Sequence, residues 1–475
     1  MDSNRVLDIF KEIVRVPRES GHEEFIIAYL QNFAAAHALE CRTDEAGNVV
    51  IVKPASPGKE NVPVLVLQSH SDMVCEKKAG VEHDFAKDPI RYEIRDGWMV
   101  APDTTLGADC GIGMAAELAL LESSQPTGRI ECLFTVSEET GLDGAKALKP
   151  GFITGRTLIN LDSEDEGELF VGCAGGVDTT GVLHYDATSL PEGTKLLRFS
   201  IDGCVGGHSG DDIDKGRANA VQLLARFLYT CVGEDFLLCS FLGGNKRNAI
   251  AREASCVLAV RGDGRRISDL FAAFADEVKA EYAVTEPDMR CECTEVTGDY
   301  EAMADADAQR LVSMLAAAPH GVLAMSREIP GLVETSSNLA AVKMTGDRTV
   351  TVTSNQRSSV AGACRAAGEK MQACMELAGA DVTHENEYPG WQPNLKSHIL
   401  DVTVKTYGEL FGTEPVVRAI HAGLECGLFL DIYPDLDMIS FGPTLRGVHA
   451  PGERLDLASL DRFVRLLDRI VTEFE

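Results

Sequence analysis

Apolar residues recur every three to four positions over residues 7–14 and 24–36, which predicts two amphipathic helices at the start of the chain. Residues 48–52, after a Gly47 turn, and 64–67, after Pro63, are short apolar runs of the kind that form strands, the second buried on both faces. A helix over 113–122 follows, then strands over 130–136 and 157–161, and this alternation predicts parallel crossover connections. From Gly172–Gly176 the texture changes. Alternating runs at 195–201, 254–260 and 349–353 now mix with helical periodicity at 218–231, 268–282, 305–316 and 362–378, and Thr345-Gly346-Asp347 reads as a hairpin turn. Pro389-Gly390-Trp391-Gln392-Pro393 breaks any helix, after which a helix over 399–410, strands over 416–420 and 438–441 and a helix over 457–472 restore the first rhythm. The pattern predicts an α/β domain with a mostly parallel sheet flanked by helices, built from residues 1–175 and 389–475. Residues 176–388 form an inserted α+β domain.

Composition narrows the function classes. The 475 residues hold 44 basic and 74 acidic side chains, a formal net charge of −30, so neither nucleic acid nor an anionic membrane is expected as partner. Residues 1–10 are charged, without a signal-peptide core, and no apolar run approaches the roughly 18 residues of a membrane span. Fourteen cysteines stand singly with no C-x-x-C pair, the pattern of reduced thiols in a cytoplasmic protein.

The informative feature is where acids and histidines fall. His70-Ser71-Asp72 follows one apolar strand, Glu138-Glu139 the next and Asp162 the third; His449 lies in a Gly/Pro-rich loop after the strand over 438–441, and Asp109 sits just before a helix. The carboxyl ends of strands are where α/β sheets collect ligands. One Asp after a strand is ordinarily a cap or a turn former, and one His ordinarily a satisfied structural residue. Several at successive strand ends are harder to explain so, because converging carboxylates repel one another unless a cation lies among them. Imidazole and carboxylate donors without thiolate suit Zn²⁺, with Mn²⁺ or Co²⁺ as alternatives. Asp72 has the spacing to orient the far nitrogen of His70, and of the adjacent Glu138 and Glu139 one can ligate while the other acts as base. Other motifs fail: His22-Glu23 and His384-Glu385 lack the second histidine of H-E-x-x-H, Gly207-His208-Ser209-Gly210-Asp211 lacks the last glycine of a nucleophile elbow, and there is no phosphate loop.

Four segments together resemble the M20 metallopeptidases, in their aminoacyl-histidine dipeptidase branch. They are Leu67-Gln68-Ser69-His70-Ser71-Asp72-Met73-Val74, Thr105-Leu106-Gly107-Ala108-Asp109, Ser137-Glu138-Glu139-Thr140-Gly141-Leu142, and Gly442-Pro443-Thr444 through His449-Ala450-Pro451. The resemblance implies a di-metal catalytic domain with an inserted lid, Asp109 bridging two divalent ions, and His70, Asp162, Glu139 and His449 completing the ligand set. It gives Glu138 the role of general base and Asp72 that of orienting His70. Within the lid it implies substrate contacts from His208, Asn248 and Arg357, with Gly423 on a substrate-facing loop of the catalytic domain, and it implies a homodimer. One position departs from the pattern: Cys110 follows the bridging aspartate, where the family usually carries Asn or Asp.

The expected activity is hydrolysis of small peptides, Xaa-His or other dipeptides, by a metal-activated water with Glu138 as base. An N-acyl-amino-acid deacylase or an aminotripeptidase uses the same scaffold, and a metal-binding protein without catalysis or a serine hydrolase acting through Ser209 are the readings from other classes.

Overall fold

The computed structural model describes residues 1–475, which divide into two compact units. The first comprises residues 1–173, 391–419 and 424–475. The second comprises residues 174–390 together with 420–423.

The first unit is built on an eight-stranded sheet, in spatial order Glu40–Thr43, Val49–Lys53, Ile130–Thr135, Leu65–His70, Thr157–Asn160, Asp437–Ser440, Glu168–Cys173 and Val416–Ile420. Its heart is parallel. Leu65 pairs with both Ile130 and Thr157, and Thr157 with Asp437, so four adjacent strands start level; two end together at His70 and Thr135, and the other two stop at the level of Gln68. Antiparallel partners extend the sheet, Val49–Lys53 on one side and Glu168–Cys173 on the other. The central strands are buried throughout, which is why they read as unbroken apolar runs. Helix Ala108–Glu122, buried nearly all round, packs on strand Leu65–His70 and on helix Ser3–Ile13. The latter turns Val6, Ile9, Phe10 and Ile13 inward and is capped by Asp2, whose side chain accepts from the Asn4 N–H. The last helix, Leu457–Glu473, starts at a similar cap on Asp456.

The second unit is a nine-stranded antiparallel sheet in which Gly175–His184, Val333–Thr345 and Thr349–Ser358 are long neighbours. Helices Ala220–Thr230, Arg265–Glu281, Asp305–Ala317 and Ala361–Leu377 accompany it. Phe227 meets Phe199, Phe271 and Phe274 at ring-centroid distances of 5.5, 4.8 and 5.6 Å, anchoring two of those helices to the sheet. The hairpin at 345–349 closes with Arg348 at φ 62°, the left-handed residue such a loop needs.

Residues 420–423 differ from the expectation of a catalytic-domain loop, since they belong to the second unit. The Ala174 N–H donates to the carbonyls of Ile420 and Ala422, and the His421 ring reaches Ser336, so local bonding outweighs the neighbouring sequence.

Candidate metal centre

Because the parallel strands start level and run in register, the residues at and just past their ends meet. His70 closes strand Leu65–His70, Asp162 lies two residues beyond Asn160, and Glu138 and Glu139 lie just beyond Ile130–Thr135. Asp109 comes in from the helix above. Its backbone is non-helical (φ −82°, ψ 115°), Gly107 before it has φ 70°, and the Asp109–Cys110 peptide is cis.

The Asp109 carboxylate divides its oxygens. Oδ1 lies 3.1 Å from Nε2 of His70, while Oδ2 lies 3.1 Å from Nε2 of His449. On the first side Asp162 Oδ1 is 3.2 Å from the same His70 nitrogen, and on the second Glu139 Oε2 is 2.9 Å from His449. The sets His70/Asp109/Asp162 and Asp109/Glu139/His449 each place three donor atoms within 4.8 Å of one another, the compass of one metal ion. A third set joins Glu138 to His70 and Glu139.

Electrostatics points the same way. Hydrogen bonds to Asp109 and Glu139 raise the His449 imidazole to about 11. Burial opposes charge on His70, but Asp162 and Asp109 outweigh it and hold the ring well above its usual range. Burial also lifts Asp162 to about 7 and pushes Glu138 well up, the latter reinforced by Asp162, Glu425 and Glu139. The cluster therefore draws in protons wherever it has no other cation. Asp162 Oδ1 is buried and, close as it lies to His70, makes no aligned hydrogen bond, a further sign that these donors suit a positive ion.

Asp72 stands behind His70, its Oδ1 3.3 Å from Nδ1. It also accepts from the Glu138 N–H at 3.1 Å, the Glu139 N–H at 3.2 Å and Ser20 Oγ at 2.7 Å, so it ties two of the strand-end loops together. Burial would raise its carboxyl, but His70 and these donors bring it to about 2. Beneath lies a buried polar layer: Asn160 donates to Gln68 at 2.6 Å, and Gln68 and Thr135 donate to Glu425 at 2.7 and 2.8 Å.

Residues 66–473 match the description of peptidase family M20/M25/M40. The chain belongs to this family. The cytosol non-specific dipeptidase of Escherichia coli K12 is 39% identical over 469 residues, 98% of this chain and 96% of that protein. The crystal structure of an aminoacylhistidine dipeptidase from Vibrio alginolyticus superposes with a TM-score of 0.92 at 39% identity, covering 99% of this chain and 96% of that one. An aminopeptidase PepT from Bacillus cereus shares the fold, with a TM-score of 0.59 at 18% identity over 100% and 99% of the two chains.

In this M20/M25/M40 peptidase Cys110 is no rival ligand. Its thiol is buried and donates to the Leu161 carbonyl at 3.2 Å, beside the cluster rather than in it. Neither Arg18 nor Glu453 was signalled by the sequence, although both grip the loop before Asp109. They lie far from it along the chain, and no short motif joins them.

The second unit holds a separate polar group. Arg357 is buried, donating from Nε to Asn355 Oδ1 at 2.9 Å and Ser209 Oγ at 3.3 Å, and from Nη1 to Tyr388 Oη at 2.8 Å; no carboxylate pairs with it. Gly423 lies against the Tyr388 ring, where a Cβ would come within 2.9 Å. His208 neighbours Ser209 and accepts at Nδ1 from the N–H groups of Gly210 and Asp211, at 3.3 and 3.2 Å. Asn248 is exposed, and its carbonyl accepts from the Ser209 N–H at 2.9 Å. Arg357, Gly423 and His208 are thus brought round Ser209 and Tyr388, whereas Asn248 contributes backbone alone.

Proposed function

We propose that this chain is a dipeptidase that hydrolyses unblocked dipeptides with two divalent metal ions. The observation that carries the reading is the Asp109 carboxylate, whose two oxygens face two different histidine–carboxylate sets. His70 and Asp162 would complete one site, and Glu139 and His449 the other. Donors of nitrogen and oxygen without sulfur suit Zn²⁺, with Mn²⁺ or Co²⁺ able to replace it. Bound metal supplies a water nucleophile at neutral pH and polarises the scissile carbonyl.

The protein's own residues do the rest. Glu138, whose carboxyl burial pushes well up, takes a proton from the attacking water and delivers it to the leaving amine. Asp72 fixes the His70 ring and, through the backbone of residues 138 and 139, the approach of the base. Arg357 receives the free carboxylate of the substrate, since it is a buried cation whose hydrogen bonds go only to neutral partners. His208, Asn248 and Gly423 belong to the same recognition surface, and the second unit acts as the lid. The fourteen cysteines are all free, in keeping with a cytoplasmic setting, and no helix is long and apolar enough to cross a membrane.

Dipeptides, Xaa-His among them, tripeptides and acetylated amino acids should be assayed with and without chelator, alongside metal analysis of the purified protein. Two metals per chain and chelator-sensitive cleavage of dipeptides are expected. Preferential cleavage of acetylated amino acids or tripeptides would assign a different acyl group to the same centre, and activity without metal would overturn the reading.

A further inference from the structure

Two buried, oppositely charged side chains outside the proposed ligand set grip the main chain that presents Asp109. Glu453 is 2% exposed, and its carboxylate accepts three consecutive backbone N–H groups, Leu106 at 2.7 Å, Gly107 at 3.0 Å and Ala108 at 2.8 Å. Glu453 closes the loop that carries His449. Its own N–H donates to Ala450 and its carbonyl accepts from Ala101, so the carboxylate joins the His449 loop to the Asp109 loop.

From the other side comes Arg18, 1% exposed. Nη1 donates to the carbonyls of Asp72 at 2.5 Å and Ser71 at 3.2 Å, and Nη2 to that of Gly107. Glycine at 107 and 111 leaves room for this guanidinium: a Cβ on Gly111 would lie 2.6 Å from Nη2, and one on Gly107 would fall on it. Arg18 thus joins the His70–Asp72 loop to the Asp109 loop. Neither charge has an ion-pair contact of its own; the Glu453 carboxylate and both terminal nitrogens of Arg18 bond backbone groups of loops bearing proposed ligands.

Charges are costly to bury, and cheaper ways exist to hold a loop. A carboxylate facing three N–H groups and a guanidinium facing three carbonyls fix position and direction at once. We propose that Arg18 and Glu453 are positioning residues that lock the His70, Asp109 and His449 loops into one frame, so that Asp109 can serve both metal sites simultaneously. This rests on the reading of the cluster as a two-metal centre.

Glu453→Gln is the sharpest variant, because one carboxylate oxygen becomes an N–H₂ that faces backbone donors. Co²⁺ alone is the probe, read as stoichiometry, as affinity against a competing chelator and as the visible d–d spectrum. Glu131→Gln is the control: Glu131 is also fully buried and accepts the N–H groups of Thr154 and Gly155, at 2.6 and 3.3 Å, at the opposite end of the strands. Wild type should bind two Co²⁺ per chain. Glu453→Gln should weaken the second Co²⁺ by about ten- to a hundredfold and alter the spectrum, while Glu131→Gln lowers the thermal midpoint but leaves affinity within about twofold. Arg18→Lys, which keeps the charge but cannot span three carbonyls, should show the same loss more mildly and serves if Glu453→Gln does not fold. Unchanged Co²⁺ affinity and spectrum in Glu453→Gln or Arg18→Lys, or an equal loss in Glu131→Gln, overturns the positioning role. Failure of wild type to bind two Co²⁺ overturns instead the reading of the centre itself.

Discussion

The two units each hold a polar cluster, and the clusters have opposite character. In the first, carboxylates outnumber their partners, and without metal they raise both histidines, His449 up to about 11. In the second, burial lowers His421 to about 4, and the Arg357 guanidinium adds to that effect against the opposing pull of Asp211 and Asp214. The same side chain is thus a proton trap in one unit and a neutral acceptor in the other. An excess of buried anions needs cations, and a buried guanidinium whose hydrogen bonds go to neutral groups is suited to an anion. On the proposed function the first cluster would take divalent metal and the second a substrate carboxylate.

The strongest way to break this contrast is to remove the shared anion. Asp109→Asn deletes the charge facing both His70 and His449, so both metals should be lost and dipeptide hydrolysis should fall to background. Metal analysis and turnover on one preparation test this, and two metals bound with near-normal turnover would rule out the bridging role. Glu138→Gln is next. It leaves the five proposed ligands in place, so two metals should stay bound while kcat drops about 10²- to 10⁴-fold with little change in KM. A KM effect without a kcat effect would move Glu138 from proton transfer to binding.

The second cluster calls for a different signature. Arg357→Met should raise KM for dipeptides about 10- to 100-fold, the worth of a hydrogen bond to a charged group, and erase the preference for free acids over C-terminal amides. Arg357→Lys should recover part of it, because charge survives and the fork does not. If free acid and amide are cleaved equally well by the wild type, Arg357 has another purpose.

Much of this was legible in the residues because the parallel strands announce themselves. Leu65–His70 and Ile130–Thr135 are buried on both faces and end on titratable groups, so their convergence follows from level strand ends. The long strand Val333–Thr345 was not visible. Its centre is Ser336, Ser337 and Asn338, which are buried yet polar, and only cross-strand partners and His421 make that affordable. Arg290–Val296, at a sheet edge, turns Cys291 and Cys293 to the core, between Arg290, Glu292 and Thr294, too weak an apolar face to announce a strand. At the centre, the proposed ligands were legible and the frame was not. Glu453 bonds Leu106 across 347 positions, and nothing local marks a glutamate as the acceptor for three distant N–H groups.

The smallest effect gives the contrast a sign. His320, in the second unit, accepts at Nδ1 from the Leu339 N–H at 3.3 Å, and burial lowers it to about 4. Its folded pKa lies below the unfolded value of about 6.5, so between those limits the unfolded chain binds more protons. Stability is therefore full above about pH 6.5 and declines as pH falls through 4, by on the order of 1–3 kcal/mol. His449 in metal-free protein does the reverse. Raised to about 11, it contributes below about pH 6.5 and loses that contribution as pH rises toward 11. Because a metal ligand must be neutral, Zn²⁺ added at pH 7 should displace the proton from His449 while leaving His320 and His421 unchanged. Histidine ring resonances followed by NMR through a pH series, with and without Zn²⁺, read all of these at once. Titration of His449 and His421 at the same ordinary pH in the metal-free protein would erase the opposition between the units, since each shift exists only if its cluster carries the charge assigned to it.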